Sequence, residues 1–449
     1  VSTVPSWDDM WKWERELLRE AFRASPKVKE VTDEVLSGST STKEKILKIH
    51  EYVIVNIRYQ QDYEQSISGV KPHNAAQVLS RQYGDCKDKA VLFITMAKQA
   101  GIKAHFALVR TRNSGVVDLQ SPSQQFNHAI VYVPKQEGVS EGRFFDPTVD
   151  TLDIETLRFD DQGTRSLVFD PETKEHYWQE IPFQGPEFDS TRDDVELTLS
   201  DTGEITGKLT LSGRGSIAQT LRHRARNPEA FKQVMQYRLN NLFPGATMDR
   251  YEVLELEDLF KPASAEIYFK HDSWGKLEGD SLRVPAVIDW TPKGYFHLDK
   301  RRFPINFGTR KEWTWRTKLT LPKGYEVTHL PKDESLVTSC LSLERRFSID
   351  EGSLITEWRY ASLCEMLNPE EYEAQRDQAR QMMVLLEQEV VLGKAVPTAP
   401  SELKLPPQPA PTPTREPSPE PSPEPAVKLG PSPTTAQPTS SPAQSPSAH

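Results

Sequence analysis

Apolar residues along this chain follow two rhythms, and the change falls near residue 185. Early segments carry apolar side chains three and four positions apart. "SWDDMWKWERELLREAF", which opens after the capping-type Ser6, and "TKEKILKIHEYVIVNIRY" both predict helices on this spacing. "AAQVLSRQY" and the helix after Cys86, "AVLFITMAKQAGI", come next. Period-two alternation then takes over in "KAHFALVRT", "HAIVYVP" and "GRFFDPT", the pattern of short strands.

From about Asp193 to Leu392 strands dominate. "DVELTLSDTGEITGKLTLSG" alternates across a Gly-containing turn, and "WTWRTKLTLPKGYEV" alternates likewise. One helical insert, "SIAQTLRHRARNPEAFKQVMQYRLNNLF", interrupts them. A last helix is predicted from "NPEEYEAQ", where Asn368 suits the cap and Pro369 the first helical position. The pattern predicts an α+β chain in three parts. These are a core domain over 1–185, a mainly antiparallel β-rich domain over 186–395 with a helical insert and a closing helix, and a tail over 396–449.

Composition defines the tail. It is rich in Pro, Ser, Thr and Glu and has no aromatic residue. Such a segment cannot bury enough apolar surface to offset its ordering entropy, so disorder or a polyproline-like form is expected. Its "EPSP" units offer an SH3- or WW-type docking alternative to a plain flexible tail.

Bulk properties exclude several classes. The 449 residues have room for two or three domains. A net charge of −10 argues against a nucleic-acid backbone as partner, which would call for a basic face. No apolar run approaches the roughly 18 residues of a membrane span. Three cysteines make no disulfide framework, and no C-x-x-C or Cys/His cluster suggests zinc. The chain starts at Val1 without a charged-then-apolar leader, so a targeting signal is expected to have been removed or to lie outside it.

The candidate chemistry centres on "YGDCKDKA". Asp85 and Asp88 have the spacing of a capping pair, which would make Cys86 the first residue of its helix. There it meets first-turn N–H groups and the positive end of the helix dipole, a setting that favours a nucleophilic thiolate. The alternative is a small buried hydrophobe at a helix start. A thiolate enzyme needs a base and a group to orient it. His128 in "FNHAIVYV" and Asp146 in "FFDPT" lie on strands joined by a hairpin-like loop. A turn near Gly138 would put His128 opposite a residue within two positions of Asp146. His50, His73 and His105 are expected to be structural, since none has a carboxylate at an orienting spacing.

"YGDCKDKAVLFITMAKQAGIKAHFALVRT", "LQSPSQQFNHAIVYV" and "FFDPT", in that order, resemble the bacterial transglutaminase-like superfamily. The likeness is to the branch with a "GDCKDKA" cysteine, an "F-[ND]-H" histidine and a "D-P-T" aspartate, and it extends from about Ser6 to Leu392. It implies a papain-like core, a β-rich domain after it, and Cys86, His128 and Asp146 as catalytic positions. That branch also carries a β domain ahead of the core, so this chain is expected to be the C-terminal part of a longer protein. The resemblance implies a cysteine that attacks a carboxamide or peptide carbonyl of a peptide or protein substrate, with acyl transfer to an amine or water. The alternatives are a cell-envelope cysteine peptidase and a catalytically idle binding module. No metal or organic cofactor is expected, because nucleophile, base and orienter come from the protein. The loop "RTRNSGVVDLQSPSQQ" is expected to border the substrate cleft and be mobile.

Cys340 and Cys364 flank a predicted hairpin, "SCLSLERRFSIDEGSLITEWRYASLC". A three-residue loop over Glu351, Gly352 and Ser353 would set them directly opposite. A two- or four-residue loop shifts the partner of Cys340 to Leu363 and puts the cysteines on opposite faces. Only one of these lengths joins them, so two unbridged apolar residues are expected. A bridge would imply an oxidising compartment, in keeping with the cell envelope.

Overall fold

The computed structural model describes residues 4–61, 69–288 and 295–395; the predicted tail, 396–449, lies outside them. The described chain is α+β, as its sequence rhythm predicts. Five helices open it: α1 (Trp7–Leu18), α2 (Pro26–Val35), α3 (Thr42–Asn56), α4 (Ala75–Arg81) and α5 (Cys86–Gln99). Ser6 caps α1 by accepting from the Asp9 amide. The helix α2 starts at a Ser25–Pro26 cap that the apolar spacing did not reveal, since only Val28 and Thr32 of it are buried.

Short strands β1 (Arg58–Tyr59) and β2 (Tyr83–Gly84) pair in parallel immediately ahead of α5. The next five strands are β3 (His105–Val109), β4 (His128–Val133), β5 (Arg143–Phe145), β6 (Arg165–Phe169) and β7 (His176–Glu180). They form one antiparallel sheet in the order β5-β4-β3-β6-β7. Helix α5 packs against β4 on one side and α3 and α4 on the other. Its residues from Ala90 to Ala97 are all buried, which makes it the central element of this half.

Past residue 189, an eight-stranded sheet forms among the described residues. Its order is Thr247–Val253, Ala263–His271, Ile205–Gly213, Ser190–Leu199, Lys311–Thr320, Ser353–Ser362, Leu341–Asp350 and Glu334–Val337. The pairing is antiparallel except where Ser190–Leu199 meets Lys311–Thr320. The helical insert folds as two helices, Ser216–Ala225 and Pro228–Leu242. The helix Pro369–Leu386 begins at the predicted Asn368 cap. It does not close the chain. Strand Glu389–Lys394 follows and joins a four-stranded sheet, burying Val390 and Leu392. No helix among the described residues is long and apolar enough to cross a membrane.

The two halves meet through buried polar contacts. Arg222 forms an ion pair with Asp153 at 3.2 Å and donates to the carbonyls of Leu256 and Lys261. The other Asp153 oxygen accepts from the Gly215 amide at 2.8 Å. Both ionic groups are nearly solvent-free, and Arg214, 3.7 Å from Asp153, is a further counter-charge at this point.

The cysteine hairpin takes the two-residue alternative, and the expectation of unbridged cysteines fails. Its loop has two residues, Glu351 and Gly352, both at positive φ (46° and 75°), as a type I′ turn requires. Asp350 therefore faces Ser353, and the ladder ends at Leu341–Ser362. Cys340 and Cys364 are nevertheless bridged, with Cα atoms 4.8 Å apart. Both lie past the last ladder pair, where the chain has left the pleat and strict alternation of faces no longer applies.

Two measurements follow. Thiol titration of the unfolded, unreduced chain should find one thiol, Cys86, and three after reduction; three from the start would reject the bridge. Arg222→Ala should lower unfolding stability by about 3–5 kcal/mol, because buried Asp153 is left with only the more exposed and more distant Arg214 as counter-charge. Denaturant unfolding midpoints check this, and a loss below ~1 kcal/mol would mean the pair does not bind the halves together.

Candidate active site

Cys86 is the first residue of α5, and the sequence around it explains why. The Asp85 side chain accepts from the Asp88 amide while the Asp88 side chain accepts from the Asp85 amide, a reciprocal capping box. The two carboxylates come close to β2. A Cβ on Gly84 would lie 2.6 Å from the Asp88 Cβ, so glycine is what lets strand and cap meet. Lys87 ion-pairs with Asp85, and Lys89, fully buried, donates to the Ile57 carbonyl at 2.8 Å. Burial pulls the Lys89 ammonium down to about 8, against the opposing pull of Asp146 and Asp150.

His128 is the first residue of β4, and Asp146 directly follows β5. The ladder pairs Val131 with Phe145 and Val133 with Arg143; continuing that count sets His128 across from Thr148, two residues past Asp146. The His128 Nε2 lies 3.1 Å from the Asp146 Oδ2. The other oxygen, Oδ1, accepts from the Thr148 amide at 2.9 Å and its hydroxyl at 2.6 Å. This is an Asx turn, and it is the physical content of the "D-P-T" motif. The Asp146 carbonyl in turn faces the His50 Nε2 at 3.1 Å. The Cys86 side chain stands close enough to His128 to add to the raising of its imidazole. The structure thus brings all three sequence-predicted residues together.

Electrostatics bind the group more tightly than the distances alone suggest. Burial by itself would lower the His128 imidazole, but the charge of Asp146 prevails, with Asp161 adding to it when ionised, and raises it well above 6.5. Burial pushes Asp146 up, yet His128, Arg158 and the Thr148 hydrogen bond hold it well below the usual carboxylate range. Arg158 stands 3.9 Å from Asp146 and is itself clamped by both oxygens of Asp160.

Asp161 was not visible in the sequence. It is wholly buried, its nearer oxygen lies 4.0 Å from the His128 Nε2, and neither oxygen has a hydrogen-bond partner among the described residues. Burial raises it to about 8, with Asp146 adding and His128 opposing. Nothing in "RFDDQGT" distinguishes it from its neighbour Asp160; only the folded chain sets it beside His128.

His128, Asp146 and Asp161 offer three ligand atoms within 4.8 Å of one another, a spacing a metal ion could use. Two features oppose that use. The Nε2 already faces Asp146, and the Arg158 guanidinium puts a fixed positive charge beside the same carboxylate.

The remaining histidines need a correction. His73 does have an orienting carboxylate, Asp88 at 3.2 Å, and His105 stands 3.7 Å from Asp170 and 2.7 Å from the Tyr177 hydroxyl. Sequence spacing hid both pairs because the partners come from other elements. His50 is fully buried, and burial lowers it to about 4.

A cleft of about 370 Å³ opens beside the group. Tyr59, Thr148 and Arg158 form its core side; Ser216, Thr309 and Arg310 form its β-rich side. Asn113, from the loop between β3 and β4, also lines it, as expected of that loop.

Residues 29–185 match the family model of the transglutaminase-like superfamily. The core of this chain is transglutaminase-like. Residues 283–392 match a domain of unknown function, DUF3858, so the transglutaminase-like core is followed by the β domain its sequence implied. Among solved structures, the chain is similar to one described as "a putative protease from Parabacteroides distasonis ATCC 8503". The two share 12% identity at a TM-score of 0.51, over 87% of this chain and 59% of that one. This chain therefore spans under two thirds of that protein, and the likeness is one of fold. Baculovirus P35, at 7% identity over 46% of this chain and 97% of its own, has a TM-score of 0.12 and bears on nothing here. No curated protein matches the chain. A transglutaminase-like core is a peptidase- or acyltransferase-like fold.

The raised imidazole carries a prediction. The folded value of His128 lies above 6.5, so its contribution to stability is full below 6.5 and is lost as pH rises through the raised value. That of Asp146 lies below 3.8, so its contribution is present above 3.8 and is lost as pH falls through the lowered value. Neutral pH is inside both windows. NMR of ring-labelled histidine should show His128 titrating above 6.5, and moving down in Asp146→Asn. An unperturbed titration in the natural chain would overturn this account.

Proposed function

We propose that Cys86, His128 and Asp146 act as nucleophile, base and orienter in thiol-dependent acyl transfer or hydrolysis at a carboxamide or peptide bond. The observation that carries this reading is the placing of one buried imidazole between a helix-opening thiol and a carboxylate that holds its charge. In the first half-reaction the Cys86 sulfur attacks the carbonyl carbon, and the C=O electron pair moves onto oxygen. The Cys86 amide at the open end of α5 is suited to accept that oxygen's charge. Collapse breaks the C–N bond, and His128 gives its proton to the departing ammonia or amine. In the second, His128 takes a proton from the incoming water or amine as it attacks the thioester, and the sulfur leaves as thiolate. Asp146 keeps the ring oriented throughout and stays ionised.

The substrate is a peptide or protein segment lying in the cleft between the core and the β-rich half. We propose the division at 185/186 as a domain boundary, with both domains contributing to that cleft. A cell-envelope peptidase is the second reading. The Cys340–Cys364 bridge favours the compartment it names, since such bridges persist where the surroundings are oxidising. An idle binding module gains nothing from a buried charged pair whose desolvation costs several kcal/mol per ion.

Iodoacetamide should label Cys86 quickly near neutral pH and slowly in His128→Ala. With a glutamine peptide, Cys86→Ala and His128→Ala should abolish ammonia release. Asp146→Ala should keep about 10–100-fold more activity than either. Full activity in Asp146→Ala would remove Asp146 from the site; a slow, unselective Cys86 would sink the enzyme reading altogether. Amine incorporation measured beside hydrolysis separates the transfer and peptidase branches.

A further inference from the structure

Attack on a carbonyl places negative charge on oxygen, and one backbone amide is a sparse receptacle for it. The donors around the cleft can be taken in turn. The Thr148 hydroxyl donates to Asp146, and Arg158 is committed to Asp160. The side-chain amides of Gln162 and Gln184 donate to the carbonyls of Leu157 and Glu155. Asn113 and Gln219 line the cleft as well, but Tyr59 alone of these donors sits on a strand paired with the one that leads into Cys86.

Its position is fixed by the backbone rather than by side-chain packing. Tyr59 pairs with Gly84 across the parallel β1–β2 ladder, and the Gln60 amide donates to the Gly84 carbonyl at 2.9 Å. Gly84 ends β2 two residues before Cys86, so the strand that holds Tyr59 is in register with the one that leads into the nucleophile's helix. The ring lines the same cleft as Thr148 and Arg158, and the residue is 44% exposed. Lys89 ties the segment down from below through the Ile57 carbonyl.

We propose that the Tyr59 hydroxyl is the second oxyanion donor, meeting the substrate oxygen together with the Cys86 amide. This rests on the reading of Cys86 as nucleophile. The step moves no proton. The S–C bond forms, the C=O pair moves to oxygen, and that oxygen accepts hydrogen bonds from the Cys86 N–H and the Tyr59 O–H. Collapse restores the C=O bond and expels the leaving group. The phenol is suited to this duty. Burial, and then the negative field of Cys86 and Asp85, push it up to about 12, so it keeps its hydrogen at any working pH. The Gln61 side chain bonds to it in the sense that favours phenolate, as a donor to its oxygen, which leaves the hydroxyl hydrogen available.

The test compares two reactions of Cys86 on the whole chain. Acylation by p-nitrophenyl acetate passes through an oxyanion; alkylation by iodoacetamide does not. Tyr59→Phe keeps the ring and removes the hydroxyl. It should slow acylation by about 10²–10³-fold in kcat with KM little changed, the usual cost of one such donor. Alkylation should stay within twofold of the natural chain, which also shows that the site is still folded. Acylation within threefold of the natural chain would overturn the proposal. So would a slowing of alkylation equal to that of acylation, which would mean that Tyr59 acts on the thiol. Failure of iodoacetamide to label the natural chain would instead reject the nucleophile reading beneath it, and the two failures are therefore distinct.

Discussion

The opening of α5 is the point on which the rest of this structure hangs. A helix buried from Lys87 to Ala97 cannot leave its opening unsupported, and its first four amides have no partner within the helix. Asp85 takes the amide of Asp88 and Asp88 takes that of Asp85, which leaves the Cys86 amide outside the box, at the cost of taking two carboxylates out of solvent; burial visibly raises Asp85. Lys87 beside Asp85, His73 beside Asp88 and the helix dipole offset that cost. The sulfur of Cys86 is thereby held at one place, because a helix anchored by its cap and by packing on β4, α3 and α4 has no freedom to slide. Removal of the cap would do more than fray a helix end. It would leave buried carboxylates and amides unpaired at the position the thiol depends on.

A second group of buried charges is organised around the imidazole. Asp146 spends one oxygen on His128 and the other on Thr148, so its carboxylate cannot rotate. Arg158 neutralises part of the negative charge, and Asp160 holds Arg158 in turn. Asp161 has no such partner, and for a carboxylate of this burial the cheaper state is to keep its proton. A neutral acid 4.0 Å from the ring still polarises it, and its ionisation in mildly alkaline solution would bind the imidazole's proton more firmly. The site therefore has a reserve of negative charge beyond the carboxylate that orients the ring.

What the sequence disclosed was local. Caps at Ser6, Asp85 and Asn368 were legible because capping is a relation between residues three apart. The relation of His128 to Asp146 was legible because a hairpin converts sequence distance into register. Asp161, Arg158 and the carboxylates beside His73 and His105 were not, since each meets its partner through a contact between elements. The cysteine hairpin shows the limit from the other side. Its turn chemistry was readable in Glu351 and Gly352, but the parity argument was extended past the last ladder pair, where the pleat that justifies it has ended.

The β-rich half belongs to the same physical problem as the core. Arg222 and Asp153 bury opposite charges at the seam, and the Asp153 carboxylate also fixes the Gly215 amide at the start of a helix whose next residue, Ser216, lines the cleft. Arg112, in the loop between β3 and β4, donates to the Gly308 carbonyl at 2.9 Å, one residue before Thr309 and two before Arg310. Both contacts lead from the seam to cleft-lining residues. A solvated seam would bring little stability from its ion pairs; a buried one holds its geometry, because each charge is costly without the other. One wall of the cleft is for that reason set by the chain's second half, through contacts that lie outside the transglutaminase-like motifs.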